Sequence, residues 1–408
     1  MKRSLLALFG MLPLFVQAGG FQLNLQGQKQ TGMGHTGTGL LSDASTVLFN
    51  PGGISLLDSS LNINAGLNLL FPRVRYLAPF PGNYTTETVH NTGTPFHFYV
   101  ASRLEGSKRL SFGFGIYTPF GSKQQWEDDW VGQFLIREID LKTICFQPSF
   151  SFKINDELGI GAGFILATGT FGLRKGIPAQ DSTGAYGEAR LNGRASGFGY
   201  NAGVFYKGKN GFSAGIDFRS SILAKIIDGS AEFSVPPALN SYFGTTTFNT
   251  SIRLPFTASL GLGYTKDKHR VALDVNYVGW SSYDSLVIDF KDNSEKLADN
   301  RSPRNYKNSF IFRAGYEHRL NDQLQIRGGA YFDMTPVQDG YLTPETPDVN
   351  KIGITAGASV RLKKGFGIDA SFLYIEGMKR TDTNLETGFG GTYKSRAIIP
   401  GISLSFVF

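Results

Sequence analysis

Leu61-Asn62-Ile63-Asn64-Ala65-Gly66-Leu67-Asn68-Leu69-Leu70-Phe71 is the stretch whose reading decides the fold. Leu61, Ile63, Ala65, Leu67, Leu69 and Phe71 alternate with Asn62, Asn64, Gly66 and Asn68. A period of two puts successive side chains on opposite faces of a β-strand, here one greasy and one polar. In a soluble sheet those faces meet core and water; in an outer-membrane barrel they meet lipid and lumen.

One strand does not choose between the two, but its repetition does. Similar segments recur at about 94–104, 108–120, 137–153, 157–174, 188–207, 209–228, 250–265, 268–291, 306–320, 322–335, 350–364, 365–380 and 392–408. With the first they make about fourteen, an even number, as single-chain bacterial barrels require. Their connections alternate in length. Asn155-Asp156, Gly208-Lys209-Asn210-Gly211, Lys266-Asp267, Asn321-Asp322 and Lys363-Lys364-Gly365 are short; 73–93, 121–136, 175–187, 229–249, 291–305, 336–349 and 381–391 are long. Short periplasmic turns alternating with long outer loops is the barrel pattern. No repeat of fixed period points to a propeller. The expected fold is therefore all-β, a transmembrane antiparallel barrel of about 14 strands.

Both chain ends agree. At the C-terminus Ile402, Leu404, Phe406 and Phe408 alternate with Gly401, Ser403, Ser405 and Val407. A final strand closing on a terminal aromatic resembles the signal read by the barrel assembly machinery, so that machinery is an expected partner through Phe408. At the N-terminus, Lys2 and Arg3 precede an apolar run from Ser4 to Val16, and Val16-Gln17-Ala18 supplies small residues for cleavage. Residues 1–18 read as a signal peptide, too short to span a bilayer as a helix. No later run reaches that length, so membrane insertion falls to strands.

Between the two lies Gly32 to Gly53, rich in Gly, Ser and Thr and without either regular period. It still holds Val47, Leu48 and Phe49, followed by Asn50-Pro51-Gly52-Gly53. Asn before Pro favours a turn, and Asp43 and Ser45 can hydrogen-bond nearby backbone. A compact, turn-rich plug over 19–57 is expected inside a barrel over 58–408.

Composition fits. The 408 residues include 51 Gly, 34 Phe and 17 Tyr, and only 18% are charged. Gly and aromatic enrichment suits tight bends and aromatic girdles. The net charge of +7 is scattered rather than clustered, which argues against nucleic acid. A single Cys145 excludes an intrachain disulfide framework. Gly32-Met33-Gly34-His35-Thr36-Gly37 matches a dinucleotide fingerprint but lacks the strand before it and the helix after it. Gly211-Phe212-Ser213-Ala214-Gly215 lies within an alternating strand, not at a nucleophile elbow. No pair among the five histidines has a helical metal-ligand spacing. No enzyme, no cofactor and no metal are expected. Trp126 and Trp130 fall in a long outer loop, where they either anchor at the interface or line a greasy outer groove.

Taken in order, these residues resemble the FadL/TodX family of outer-membrane transporters for long-chain fatty acids and hydrocarbons. Gly20-Phe21-Gln22-Leu23-Asn24 resembles the family's start after cleavage. Asp43-Ala44-Ser45-Thr46-Val47 and Asn50-Pro51 resemble its hatch motif, with Gly52 where Ala is usual. Gly115-Ile116-Tyr117-Thr118-Pro119-Phe120-Gly121 is similar to its kinked third strand. Asn305-Tyr306-Lys307-Asn308 is similar to its W-K-D segment, with Tyr and Asn replacing Trp and Asp; Asp333-Met334-Thr335-Pro336-Val337 and Pro347-Asp348 complete the pattern.

The resemblance implies a lumen blocked by a hatch that includes Phe21, Asp43, Ser45, Phe49, Asn50 and Pro51. It implies passive uptake of a hydrophobic small molecule, which leaves sideways into outer-membrane lipid at Thr118, Pro119, Phe120 and Gly121. Pro119 removes a ladder donor there, which suits either a gap in the wall or an ordinary strand end. The chain is expected to act as a monomer. Alternation also turns Lys307, Arg313 and Arg327 toward the lumen, opposite Phe310, Phe312, Ala314 and Tyr316. Two readings stay open for these cations. They hold the carboxylate head of a greasy ligand, or they pair with Glu317, Asp333 or Asp43 and brace the plug. A general diffusion porin and a structural or adhesive barrel are the alternative functions.

Overall fold

The alternation at Leu61–Phe71 is turned inside out relative to a soluble protein. Asn62, Asn64 and Asn68 are buried, whereas Leu67, Leu69 and Phe71 are exposed. The inversion repeats around the wall: Phe150, Phe198, Ile216, Leu273, Ile354 and Leu404 are exposed, while Ser149, Asn201, Asp217, Asp274, Thr355 and Ser403 are buried. Only a lipid exterior and a protein-filled interior make that arrangement favourable.

The computed structural model describes residues 20–408. The expected signal peptide lies outside the described residues. The wall is a closed antiparallel barrel of 14 strands, several of them in two pieces. They are β1 (Leu61–Asn68 and Phe71–Leu77), β2 (Thr85–Glu87 and Phe96–Arg103), β3 (Leu110–Tyr117 and Gly121–Gln125) and β4 (Glu138–Lys153). Next come β5 (Leu158–Gln180), β6 (Tyr186–Lys207), β7 (Phe212–Arg219 and Ile222–Ser234), β8 (Thr246–Leu254 and Thr257–Lys266) and β9 (His269–Val278 and Ser285–Phe290). The last are β10 (Asn300–Pro303 and Ser309–Arg319), β11 (Leu324–Asp333), β12 (Lys351–Arg361), β13 (Phe366–Gly377 and Arg380–Thr383) and β14 (Gly390–Val407). Sequential strands pair, and β1 closes on β14 in the register Asn62 to Val407 through Asn68 to Gly401. Leu61 and Phe408 exchange both backbone hydrogen bonds, at 2.9 and 2.8 Å, so the terminal aromatic sits at the seam.

The strands reach further outward than the sequence expectation. β5 runs to Gln180 and β6 starts at Tyr186, so the loop expected over 175–187 shrinks to 181–185. Thr85–Glu87 forms a strand piece within the loop expected over 73–93. Beyond the membrane both faces of a strand are wet, so the apolar alternation fades although the ladder continues. A break at Gly279–Asp284, with a 3-10 turn at Trp280–Ser282, interrupts the segment expected over 268–291.

Residues 21–56 lie inside this wall and are almost all buried. They form a one-turn helix at Gln28–Thr31, another at Thr46–Phe49 and a 3-10 turn at Pro51–Leu56.

Because every strand has two partners, no edge is left to start unzipping. The protein is expected to migrate differently on gel electrophoresis before and after boiling in detergent. Extraction as a soluble periplasmic protein would contradict the barrel.

Candidate functional site

The N-terminal segment is shaped by its own turn residues and held by the wall. The Asp43 carboxylate accepts from the Ser45 amide at 3.0 Å and the Ser45 hydroxyl at 2.5 Å, which starts the Thr46–Phe49 helix. Its other oxygen lies 3.4 Å from Lys29 Nζ, which also approaches Asp369 of β13 at 3.9 Å. Burial opposes the Asp43 charge, but Lys29 and Ser45 outweigh it and hold the carboxyl below its usual range. Asn50 accepts from the Gly52 amide at 3.0 Å and donates to the carbonyls of Thr38 at 3.2 Å and Val204 at 3.0 Å. Pro51 follows as the first residue of the 3-10 turn, where its fixed φ fits and its missing donor costs nothing. This close approach needs wall glycines. A Cβ on Gly203 would lie 2.2 Å from Asn50 Oδ1, and one on Gly215 would lie 1.9 Å from the Thr38 carbonyl oxygen.

Wall side chains complete the seating. Asp274 of β9 accepts from the amides of Gly37 at 2.8 Å and Thr38 at 2.9 Å. Arg219 of β7 donates to the Leu48 carbonyl at 2.8 Å and to Tyr117 at 2.7 Å. Arg313 of β10 donates to Asn24 at 2.9 Å, Asn276 at 2.6 Å and His35 Nδ1 at 3.0 Å. Burial, reinforced by the Arg313 guanidinium, keeps His35 well below its usual pKa, so the ring is neutral and Nδ1 can accept.

The wall itself is broken at β3. Pairing between β2 and β3 runs from Arg103 with Ser111 to His97 with Tyr117 and then stops. Where it stops, the N-terminal segment takes the partner's place. The Leu23 amide donates to the Pro119 carbonyl at 2.8 Å, the Gly121 amide donates to the Phe21 carbonyl at 3.1 Å, and Gln26 Nε2 donates to the Thr118 carbonyl at 2.8 Å. Gln22 and Phe120 form an isolated antiparallel bridge. The other edge of this stretch stays on β4, where the Thr143 amide donates to the Phe120 carbonyl at 3.2 Å.

A small apolar cavity lies behind this break, lined by Phe21, Phe120, Gly121, Leu141, Phe171, Ala224, Ile252 and Leu254 among others. A second small cavity shares Phe21, Leu141, Phe171 and Ile252 and adds Tyr283, Arg304 and Glu345. Phe21 packs edge-on against Phe120, Trp280 and Tyr283, with ring centres 6.1, 4.9 and 5.7 Å apart. Arg304 and Glu345 pair at 2.7 Å, both nearly buried. Lys142, which also lines the first cavity, is paired with Asp140 at 2.9 Å, so the charged lining groups are offset and the rest of the lining is largely apolar.

The sequence matches the outer membrane protein transport protein (OMPP1/FadL/TodX) family over residues 11–408. The chain belongs to this family. An outer membrane protein of Neisseria meningitidis serogroup B is 25% identical over 450 aligned residues, covering 96% of this chain and 95% of that protein. The long-chain fatty acid transport protein of Escherichia coli O6:H1 is 22% identical over 429 residues, covering 95% and 94%. Among solved structures, a Pseudomonas aeruginosa FadL homologue superposes with a TM-score of 0.85 at 17% identity, covering 96% of this chain and 100% of that one. The Pseudomonas putida toluene transporter TodX gives 0.72 at 16%, covering 96% and 99%. These superpositions speak to the fold. Family and fold together place the protein in the outer membrane.

Within this FadL/TodX-family barrel, the residues singled out from sequence fall into separate places. Phe21, Asp43, Ser45, Phe49, Asn50 and Pro51 belong to the inner segment, and Phe49 packs its ring 4.9 Å from that of His35. Thr118, Pro119, Phe120 and Gly121 form the break. Arg313 reaches the inner segment. Arg327 donates to Glu317 and Ser359 at 2.6 Å and to Gln325 at 2.9 Å, and its side chain is 0% exposed. Lys307 stands apart, half-buried just before the longer piece of β10, with no carboxylate within ion-pair distance among the described residues. Burial lowers its pKa. Trp126 and Trp130 are stacked on each other at 4.4 Å and fully buried under the outer loops, so they back the outer end of the lumen rather than open onto solvent. Sequence reasoning missed Arg219, Asp274, Arg304 and Glu345. Each meets its partner far along the chain or across a loop, and no local motif marks them.

Proposed function

We propose that this FadL/TodX-family protein carries hydrophobic molecules, long-chain fatty acids or similar compounds, through the outer membrane by passive diffusion. The inner segment, 20–56, is the hatch that closes the lumen to water and ions. Ligand comes from the outer end past the aromatic cluster under the loops, reaches the cavities at Phe21, and leaves sideways at Thr118–Gly121.

One observation carries this reading. The cavity behind Phe21 shares Phe120 and Gly121 with the break, so a solute resting there already touches the exit and need not pass the hatch. An apolar solute gains from an apolar path that ends in lipid and gains nothing from a water-filled pore. Wild-type protein in vesicles is expected to accumulate an apolar solute saturably while conducting few ions in planar bilayers. Large wild-type conductance would assign a diffusion pore instead.

Lys307 and the Arg304–Glu345 pair are the head-group candidates, and Arg313 and Arg327 act as braces. A partly exposed charge-assisted hydrogen bond contributes roughly 1.5 kcal/mol, or about tenfold in affinity. Lys307→Ala is expected to weaken a long-chain fatty acid by about that factor and its uncharged alcohol far less. Arg327→Ala is expected to lower thermal stability and leave the acid-to-alcohol ratio unchanged. Equal losses of both ligands in Lys307→Ala would remove Lys307 from head-group recognition.

A further inference from the structure

Several exposed cations on the outer half of the wall pair with a carboxylate, while Lys291, Lys379 and Arg396 make no ion pair among the described residues. Arg75 meets Glu87 at 2.6 Å, Lys394 meets Glu376 at 2.7 Å and Lys142 meets Asp140 at 2.9 Å. Three neighbours on β6, β7 and β8 are also unpaired. Arg194, Lys225 and Arg253 make no ion pair and no side-chain hydrogen bond among the described residues.

Register places the three together. Lys225 lies opposite Ser196 on β6 and opposite Ser251 on β8. Arg194 is two residues outward from Ser196, and Arg253, opposite Leu223, is two residues inward from Ser251. Lys225 is thus diagonal to each of the two arginines, and such neighbours lie within about 7–8 Å, in reach of long side chains. All three alternate with buried residues and point away from the lumen: Ala195, Ala224, Ile226, Ile252 and Leu254 are buried between them. Ser196, Ser251 and Thr168, the last opposite Ser196, are exposed on the same surface. The nearest acids on this side, Asp228 and Asp289, stand further out and reach none of the three within ion-pair distance. Immediately toward the membrane centre come Leu166, Phe198, Phe164 and Tyr200, all exposed.

Three like charges on adjacent strands repel one another. Snorkelling to the interface relieves desolvation of each but not their mutual repulsion, which a shared anion removes. The surface offers that anion three cations, flanking hydroxyl donors and, directly below, an apolar platform. A free anion would use the first two features only; a lipid with a phosphorylated head would use all three.

We propose that Arg194, Lys225 and Arg253 form a binding site for the phosphate groups of a phosphorylated glycolipid in the outer leaflet, with its acyl chains on Leu166, Phe198 and Tyr200. The site lies on the outer face of the barrel and is independent of the transport path.

The test uses the full-length protein in a non-ionic detergent, with bis-phosphorylated lipid A and its dephosphorylated form as probes, and reads occupancy by native mass spectrometry. Wild type is expected to retain the phosphorylated form at least about tenfold better, as two or more charge-assisted contacts require. The triple variant Arg194→Gln, Lys225→Gln, Arg253→Gln is expected to lose that preference while keeping its heat-modifiable mobility. The pair Arg75→Gln, Lys394→Gln is expected to keep it. Equal retention of both lipids by wild type, a comparison that needs no variant, would overturn the proposal. So would an unchanged preference in Lys225→Gln or in the folded triple variant.

Discussion

Deleting residues 19–50 is expected to leave an assembled barrel whose ion conductance in planar bilayers rises on the order of tenfold or more, with no selectivity for apolar solutes. A wall of 14 strands encloses a space too wide for its own side chains to fill, and barrels of only slightly more strands hold aqueous channels. In this protein the space is occupied by residues 21–56, almost all of them buried. The wall addresses them through side chains that point inward from β4, β7 and β9. Asp274 receives the Gly37 and Thr38 amides, Gln147 donates to the Val47 carbonyl at 2.6 Å, Ser213 donates to the Gly39 carbonyl at 2.6 Å and Arg270 donates to the Leu41 carbonyl. Once the hatch is gone, water replaces these backbone partners. None of the wall groups is left dry, so the barrel is not asked to bear an unpaired buried charge. A point variant such as Asp274→Ala does the reverse, because it keeps the hatch in place and strips two of its buried amides of their acceptor. It is expected to cost stability, about 1–3 kcal/mol, with a smaller change in conductance than the deletion. A deletion variant that assembles and conducts no more than wild type would show that residues 19–50 do not block the lumen.

How much of this could be read from the chain depends on distance along it. The inward set Ser309, Arg313 and Glu317 and the outward set Phe310, Phe312 and Tyr316 follow from period two alone, and the wall has them on those faces. The turn at Asp43–Ser45 and the Asn50–Pro51 start of the 3-10 turn are equally local: donor and acceptor lie within two residues of each other. Strand ends were less legible, because Lys175 to Gln180 extend β5 where no lipid face enforces alternation. Partnerships were not legible at all. Asp274 meets Gly37 across 237 residues, and nothing near either residue names the other. The same holds for Arg327, whose chemistry depends on Glu317 standing opposite it across a turn and on Ser359 one strand further. A lumen cation read by itself suits a ligand carboxylate; read with those partners it suits a brace. Arg304 and Glu345 were invisible for the further reason that both sit in irregular backbone, where no period assigns a side chain to a face.

Closing the break in β3 is expected to separate assembly from transport. In Pro119→Val, Gly121→Val the strand regains a donor at position 119 and two residues of high β-propensity. Pairing with β2, which now ends at Tyr117 and the contact of the Thr118 hydroxyl with the Phe96 carbonyl at 3.3 Å, can then continue outward. The second substitution also acts on the hatch. A Cβ on Gly121 would stand 3.2 Å from the Leu141 carbonyl oxygen and 3.3 Å from Leu23 Cδ1. The wall carbonyl is fixed by the ladder, so Leu23 is the atom that gives way, and the segment now standing in for the missing partner strand is displaced. Both changes favour a continuous wall over an opening filled by Phe21, Gln22 and Leu23. Since the cavity meets the break only through Phe120 and Gly121, sealing that point leaves solute in the lumen with no apolar way out. Uptake of a long-chain fatty acid or an aromatic hydrocarbon into vesicles is expected to fall by roughly tenfold, about 1.4 kcal/mol on the limiting passage, while heat-modifiable mobility and conductance are expected to match those of wild type. Conductance is the control that matters: if it rises, the variant has dislodged the hatch rather than sealed the wall. Unchanged uptake by an assembled, non-conducting variant would show that solute does not leave through Thr118–Gly121.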